Sequence, residues 1–212
     1  MQQLIEGVHK FRSGEFGNYR KLFRKLSQEG QNPHTLFITC SDSRVLAELI
    51  TQSKPGDLFV VKNIGNIVPP ASVRGDTNST AAAIEFAVEN LRVSDIVICG
   101  HSQCGAITAL LGKTRVDEAT PHLRDWLRLA NPVLDTLKKS YTHLGGTAYE
   151  DAASQENVLF GLDNLHSYAC VQNRLMDGTL RLHGWFFKIA TAELFAYDPE
   201  TRQFSPLVSD HA

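Results

Sequence analysis

The stretch TLFITCSDSR, residues 35–44, combines an apolar run with three chemically distinct side chains at its end. The run is continuously apolar rather than alternating, which is typical of a strand buried on both faces of a sheet. Cys40, Asp42 and Arg44 follow at alternate positions, so a thiol, a carboxylate and a permanent cation share one short segment. Packing alone seldom requires this combination, and we interpret it as part of a site.

Two further apolar runs of the same kind are LFVVK at 58–62 and DIVIC at 95–99. The segment between them, STAAAIEFAVENL at 79–91, keeps its apolar residues at helical spacing, and Ser79 or Thr80 is the expected N-cap. A strand, a helix and a second parallel strand form a right-handed crossover. We therefore predict an α/β fold with a mainly parallel central β-sheet flanked by helices.

The rest of the chain adds elements around this sheet. Amphipathic stretches within 1–30 predict an N-terminal helical arm that packs over the sheet or over another subunit. Helical patterns also cover about 119–140 and 154–176, with a Gly-Gly loop at 145–146 between them. The segment 179–198 alternates well enough to predict a C-terminal β-hairpin at the sheet edge.

Composition excludes several classes of function. The chain has 212 residues, of which 42% are hydrophobic, and its net charge is −2, with no long basic run to suggest a nucleic-acid partner. We find no apolar stretch long enough to span a bilayer and no secretory h-region, so we expect no membrane partner and a cytoplasmic location. The four cysteines are expected to be reduced thiols.

The cysteines of two motifs are candidate metal ligands. Cys40-x-Asp42 follows the first predicted strand, and His101-x-x-Cys104 follows the third. In open α/β sheets such strand ends meet at the edge where ligands bind. Two thiolates, an imidazole and a carboxylate form a tetrahedral ligand set suited to Zn²⁺. A closed structural zinc site is the alternative, but such a site gains little from Arg44, a cation that competes for one ligand.

The two motifs also carry a resemblance to a known family. CSDSR and GHSQCG, with PGDLFVVKNIGN and AAAIEFAV between them, resemble the β-class carbonic anhydrases of bacteria and plants. The similarity extends from the N-terminal helical region to GWFFKI, which is nearly the whole chain. It implies a zinc-dependent enzyme that interconverts carbon dioxide and bicarbonate through attack of zinc-bound hydroxide.

The resemblance assigns roles to the residues of both motifs. It implies one Zn²⁺ per subunit, with Cys40, His101 and Cys104 as constant ligands. Asp42 and Arg44 match the family's dyad, in which the carboxylate either takes the fourth zinc position or pairs with the guanidinium and leaves that position to water.

The resemblance also implies a substrate pocket. Gln31 matches a glutamine that hydrogen-bonds substrate, Phe59 and Ile64 match apolar pocket residues, and Gly105 offers a main-chain N–H near the metal. In the family some of these residues come from the partner subunit. We therefore expect a homodimer or a higher even oligomer with active sites at the subunit interface.

Two departures from the family pattern concern the surroundings of the site. Phe86 stands where many relatives carry Tyr, and we expect this change to tune the pocket without abolishing activity. Some members have a regulatory bicarbonate site built with a Trp and an Arg. This chain has Phe37 and Lys62 at those positions, so we do not expect that form of regulation.

These interpretations give one domain over 1–212, with the arm at 1–30, the zinc-site core at 31–112 and the remaining helices and hairpin at 113–212. Two alternatives to carbon dioxide hydration stay open. One is a carbon disulfide-type hydrolase on the same scaffold, and the other is an inactive structural zinc protein.

Overall fold

The protein, described by a computed structural model over residues 1–72, 78–114 and 120–207, is built around a six-stranded sheet. Its strands are β1 Thr35–Cys40, β2 Leu58–Asn63, β3 Asp95–His101, β4 Arg181–Lys188, β5 Glu193–Asp198 and β6 Gln203–Pro206. They lie in the order β2-β1-β3-β4-β5-β6. The three strands predicted from apolar runs are confirmed, and each extends one or two residues further than expected.

The sheet is parallel on one side and antiparallel on the other. β2, β1, β3 and β4 are parallel neighbours, whereas β5 and β6 each run antiparallel to the strand before them. The mainly parallel sheet and the C-terminal hairpin are thus confirmed. The hairpin adds to the parallel strands through β4, and β6 is an edge strand that the sequence did not predict.

Helices surround the sheet, and short irregular turns interrupt several of them. The α-helices are α1 Gln2–Lys10, α2 Phe16–Glu29, α3 Ala47–Thr51, α4 Ser79–Glu85, α5 Gly105–Leu110, α6 Pro121–Leu127, α7 Asn131–Ser140, α8 Gly146–Leu165 and α9 Ala169–Met176. Single π turns lie at Phe11–Glu15 and Phe86–Asn90, and 3-10 turns lie at Ile64–Asn66 and Arg128–Ala130.

Three helix boundaries differ from the prediction. The cap of α4 is Asn78, whose side chain accepts hydrogen bonds from the main-chain N–H groups of Thr80 and Ala81. The pattern at 119–140 forms two helices, α6 and α7, and its first residue lies outside the described part of the chain. The expected loop near 145–146 lies just before α8, which begins at Gly146 rather than at residue 154 and ends at Leu165, before α9 begins.

Close packing explains the long helix α8. A Cβ atom on Gly161 would lie 3.0 Å from Ile98 Cδ1, and one on Gly100 would lie 2.8 Å from Val158 Cγ2. The two glycines therefore let α8 lie directly against β3. Because this helix is buried over much of its surface, its sequence carries no clear apolar stripe.

The arm formed by α1 and α2 differs from the rest of the chain. Neither helix has a buried residue. The arm exposes a row of apolar side chains, namely Leu4, Ile5, Val8, Phe11 and Phe23. Such a contiguous apolar surface is typical of an interaction site. Among the helices that the structure describes, none is long and apolar enough to cross a membrane.

Candidate metal centre

Three predicted ligands meet at the carboxyl edge of the sheet. Cys40 is the last residue of β1, and His101 is the last residue of the adjacent strand β3. Cys104 is the N-cap of α5, three residues beyond His101. All three side chains are buried, with exposed fractions of 5%, 0% and 2% respectively. Strand ends thus fix two ligands, and a helix start fixes the third.

The spacing of the ligand atoms suits one metal ion. The Sγ atoms of Cys40 and Cys104 are 3.9 Å apart. One ligand atom from each cysteine and from His101 lies within 4.8 Å of the other two. With zinc–sulfur bonds of about 2.3 Å and tetrahedral angles, two thiolate ligands are separated by about 3.8 Å. The observed sulfur separation therefore fits a zinc ion.

The imidazole of His101 presents a free lone pair to the cysteines. Its Nδ1 lies 2.8 Å from the main-chain oxygen of Ser102. A carbonyl oxygen only accepts, so Nδ1 carries a proton, and in the neutral imidazole Nε2 holds the free lone pair. Nε2 is buried and has no hydrogen-bond partner among the described residues. A buried unpaired acceptor of this kind is costly, and a metal ion would satisfy it.

The two cysteine thiols form a hydrogen bond with each other and shift each other's pKa. A hydrogen bond from Cys104, with further ones from the main-chain N–H groups of Asp42 and Gly65, outweighs burial and lowers the pKa of Cys40 to about 4. The pKa of Cys104 is raised because its proton is held by Cys40 and because the thiol is buried. A divalent cation would take the place of that proton.

Asp42 lies beside this cluster but faces Arg44. Arg44 Nε and Nη2 donate to Asp42 Oδ1 and Oδ2 over 2.9 Å and 2.7 Å, and the Arg44 main-chain N–H donates to Oδ1 over 2.9 Å. These bonds hold the pKa of Asp42 well below its usual range. Asp42 Oδ2 is 4.0 Å from His101 Nε2. The carboxylate is therefore ionised and adjacent to the three ligands.

The predicted pocket residues divide into two groups. Ile64 follows β2 at the metal end of the sheet, and Gly105 is the first residue of α5, next to Cys104. Gln31 is exposed and precedes β1 at its opposite end, roughly 17 Å of strand from Cys40. One chain thus brings Ile64 and Gly105 to its own cysteines but not Gln31.

Phe59 and Phe86 lie toward the same end of β1 as Gln31, away from Cys40. Phe59 pairs with Leu36, near the beginning of β1, and its ring lies 5.9 Å from that of Phe86, centroid to centroid. Phe86 is 43% exposed. These rings form a partly open apolar surface away from the chain's own metal centre.

Two residues that sequence reasoning missed hold the main chain beside the cysteines. Asn157 Nδ2 donates to Gly65 O over 2.9 Å, and Trp126 Nε1 donates to Ile64 O over 2.7 Å. They fix the turn whose Gly65 N–H lowers the pKa of Cys40. Asn157 lies 92 residues from Gly65 and Trp126 lies 62 residues from Ile64. No local pattern could have identified either of them.

Comparison with known proteins gives a consistent result. A family model described as "Carbonic anhydrase" matches residues 35–194. The carbonic anhydrase of Synechocystis sp. is 44% identical over 204 residues, which cover 96% of this chain and 73% of that protein. Carbonic anhydrase 1 of Escherichia coli O157:H7 is 42% identical over 210 residues, covering 99% and 94% of the two chains.

Solved structures agree with the sequence comparisons. The β-carbonic anhydrase CcaA matches with a TM-score of 0.93 and 43% identity, over 99% of this chain and 93% of that one. A tetrameric β-carbonic anhydrase from Sordaria macrospora matches with a TM-score of 0.81 and 30% identity, over 92% and 95% of the two chains. The Cys-His-Cys cluster lies at the carboxyl edge of the sheet, where the two motifs predicted it. This chain belongs to the β-carbonic anhydrase family.

Proposed function

We propose that the protein catalyses the zinc-dependent, reversible hydration of carbon dioxide to bicarbonate and a proton. The observation that carries this proposal is the buried, unpartnered Nε2 of His101, which lies beside two cysteine sulfurs 3.9 Å apart. Cys40, His101 and Cys104 would hold one Zn²⁺ per subunit. When bound, zinc supplies a Lewis acid that lowers the pKa of water and so provides a nucleophile near neutral pH.

Asp42 and Arg44 would act together on the nucleophile. Because Arg44 pairs with the carboxylate in two places, Asp42 stays ionised and turned away from the three ligands. In this position Asp42 accepts a hydrogen bond from the attacking oxygen and orients that oxygen's lone pair toward carbon. If the carboxylate left Arg44, it would take the fourth ligand position. The pair thereby controls whether substrate and water reach the metal.

Two chains would complete each pocket. Ile64 and Gly105 serve the metal centre of their own chain, whereas Gln31, Phe59 and Phe86 lie too far along the sheet to do so. In an even oligomer these three residues would face the partner's cysteines. Gln31 would hydrogen-bond bicarbonate, and the two rings would form an apolar wall suited to carbon dioxide. The exposed apolar face of the arm supports such an assembly.

Stopped-flow hydration of carbon dioxide, measured with the metal content of the same sample, tests the proposal. We expect one zinc per chain, loss of activity on removal of zinc with a chelator, and recovery when zinc is restored. Full activity in the zinc-free protein would refute the proposal. Zinc-loaded protein without hydration activity would favour the structural-zinc alternative, and an accompanying carbon disulfide assay would test the other hydrolase.

A further inference from the structure

Lys62 contacts the loop that carries the dyad. It is the penultimate residue of β2 and pairs in register with Thr39, the residue before Cys40. Its ammonium group donates to Asp42 O over 3.1 Å and to Val45 O over 2.7 Å. Both acceptors are main-chain oxygens. Lys62 therefore binds the main chain at Asp42 and Val45 and not the Asp42 carboxylate.

These two oxygens mark the ends of a tight turn. The Val45 N–H donates back to Asp42 O over 3.2 Å and closes the turn at residues 42–45. Within it, the Arg44 main-chain N–H donates to Asp42 Oδ1 over 2.9 Å. That bond links the shape of the turn to the position of the carboxylate. If the carboxylate leaves Arg44, one of the turn's own hydrogen bonds is lost.

A second contact holds the turn on the side that faces the Cys-His-Cys cluster. Arg44 Nη2 donates to Gln103 O over 3.2 Å, and Gln103 has a left-handed backbone with φ of 55°. This conformation, uncommon for a residue other than glycine, lies between the ligands His101 and Cys104. Arg44 is thus tied to the segment that bears two metal ligands, while Lys62 ties the main chain beneath Asp42.

We propose that Lys62 is a positioning residue for catalysis, one that keeps the 42–45 turn closed so that Asp42 remains paired with Arg44. The inference rests on the proposed function of the dyad and goes beyond it, because it assigns the stability of the pairing to a residue outside both motifs. An ammonium group suits this task, since its three donors can reach two carbonyl oxygens at once. An uncharged side chain of similar length would leave both oxygens without that partner.

The test compares three variants of the zinc-loaded enzyme. Lys62→Met keeps most of the side-chain length and removes the donor, and Lys62→Arg restores a charged donor. Lys113→Met removes an ammonium that bonds Glu150 over 2.7 Å, away from the turn, and serves as the matched control. For each, the zinc content, kcat and the amide hydrogen exchange of a peptide covering residues 41–46 are measured. Should Lys62→Met fail to fold, Lys62→Leu, which also lacks a donor, replaces it with the same measurements.

We expect Lys62→Met to keep its zinc and to lose roughly tenfold to a hundredfold in kcat, as for other residues that orient a metal site's neighbours. Its turn amides should exchange faster, and a crystal structure should show Asp42 released from Arg44. Lys62→Arg should recover most of the kcat and the protection, and Lys113→Met should match the wild type.

Unchanged kcat and unchanged exchange in Lys62→Met would overturn the inference. So would a fall in kcat while the turn stays protected and Asp42 stays paired. If instead the zinc-loaded wild type does not hydrate carbon dioxide, the proposed function fails. The exchange measurement would then still decide whether Lys62 holds the turn.

Discussion

The Arg44 guanidinium donates a hydrogen bond to each oxygen of the Asp42 carboxylate, over 2.9 Å and 2.7 Å, although the two residues are only two positions apart. Two parallel N–H···O bonds between a guanidinium and a carboxylate are among the stronger polar contacts in proteins. The side chain of Asp42 is 16% exposed and that of Arg44 is 45% exposed, so solvent partly screens the pair. In the structure the carboxylate is therefore held by Arg44, beside the cluster of Cys40, His101 and Cys104.

Removal of the guanidinium should inactivate the enzyme without removing its zinc. In Arg44→Ala, Asp42 loses its competing partner, and we expect it to bind the metal across the working pH range. Stopped-flow assays should show near-complete loss of activity even at alkaline pH, while zinc remains at one per chain. A crystal structure of the variant should show four protein ligands. Near wild-type activity at alkaline pH, or Asp42 turned away from the metal, would contradict this prediction.

Replacement of a ligand thiolate should remove the metal itself. Cys104→Ser places an alcohol beside a borderline-soft ion, and an alcohol is a poor substitute for thiolate at neutral pH. We expect loss of most of the zinc, measured by atomic absorption, and of most activity. Cys170→Ser is the control because Cys170 lies outside the cluster and is only partly buried. Full zinc occupancy and normal turnover in Cys104→Ser would exclude Cys104 as a ligand.

Loss of the Gln31 amide, which we propose to bind substrate, should separate turnover from metal content. In Gln31→Ala the metal ligands are intact, so zinc should stay at the wild-type level. The loss of one hydrogen bond to substrate costs about 1 kcal/mol, and we expect a fall of roughly fivefold in kcat/KM. The measurement is a hydration assay paired with metal analysis. If the variant loses zinc, Gln31 has a structural role and the assignment is wrong.

A second acidic network should make stability depend on pH. Asp95 bonds Arg181 at 2.9 Å from each of its oxygens and also contacts Ser94 and His183. Burial opposes ionisation of Asp95, but these hydrogen bonds outweigh it and hold its pKa well below the usual range. A depressed carboxyl pKa stabilises the fold above the unfolded pKa of about 3.9, and that stability declines as pH falls further.

We therefore expect Asp95→Asn to lower the Tm at pH 7 and to converge with the wild type in acid. Arg181 is 69% exposed, so the network is worth about 1 kcal/mol and the Tm should fall by about 2–4 °C. Thermal unfolding at pH 7, 4 and about 2 measures the difference, because the contribution is lost only as pH falls from the unfolded pKa toward the lower folded pKa. Asp135→Asn, at an exposed position of α7, is the control. A gap that is constant over this pH range would show that the charge of Asp95 is not its cause.

The sequence predicted the strands and the metal ligands because both are local signals. A strand buried on two faces is a continuous apolar run, and Cys40 and His101 end such runs directly. The spacing of His101 and Cys104 then follows from one strand-to-helix turn. For these residues, a position at the end of a predicted strand was enough to place them at one edge of the sheet.

Other features depend on contacts that no short stretch encodes. α8 begins at Gly146, eight residues before the start that the apolar pattern predicts, and its burial against β3 leaves no clear apolar stripe to mark its limits. β6 is only four residues long and ends at Pro206, so it lacks a recognisable strand pattern. The hydrogen bonds from Asn157 to Gly65 O and from Trp126 to Ile64 O form only when helices distant in sequence pack against this turn.

The placement of Gln31 and Cys40 at opposite ends of β1 has a consequence for mixtures of mutant chains. If each pocket takes its glutamine from the partner, Gln31→Ala and Cys104→Ser chains should complement each other. In a heterodimer, the metal centre of the first chain would face the intact Gln31 of the second, which restores one complete site per pair. Two impaired preparations, mixed and allowed to exchange subunits, should then gain activity that neither has alone. A chain that supplied its own glutamine would show no such recovery.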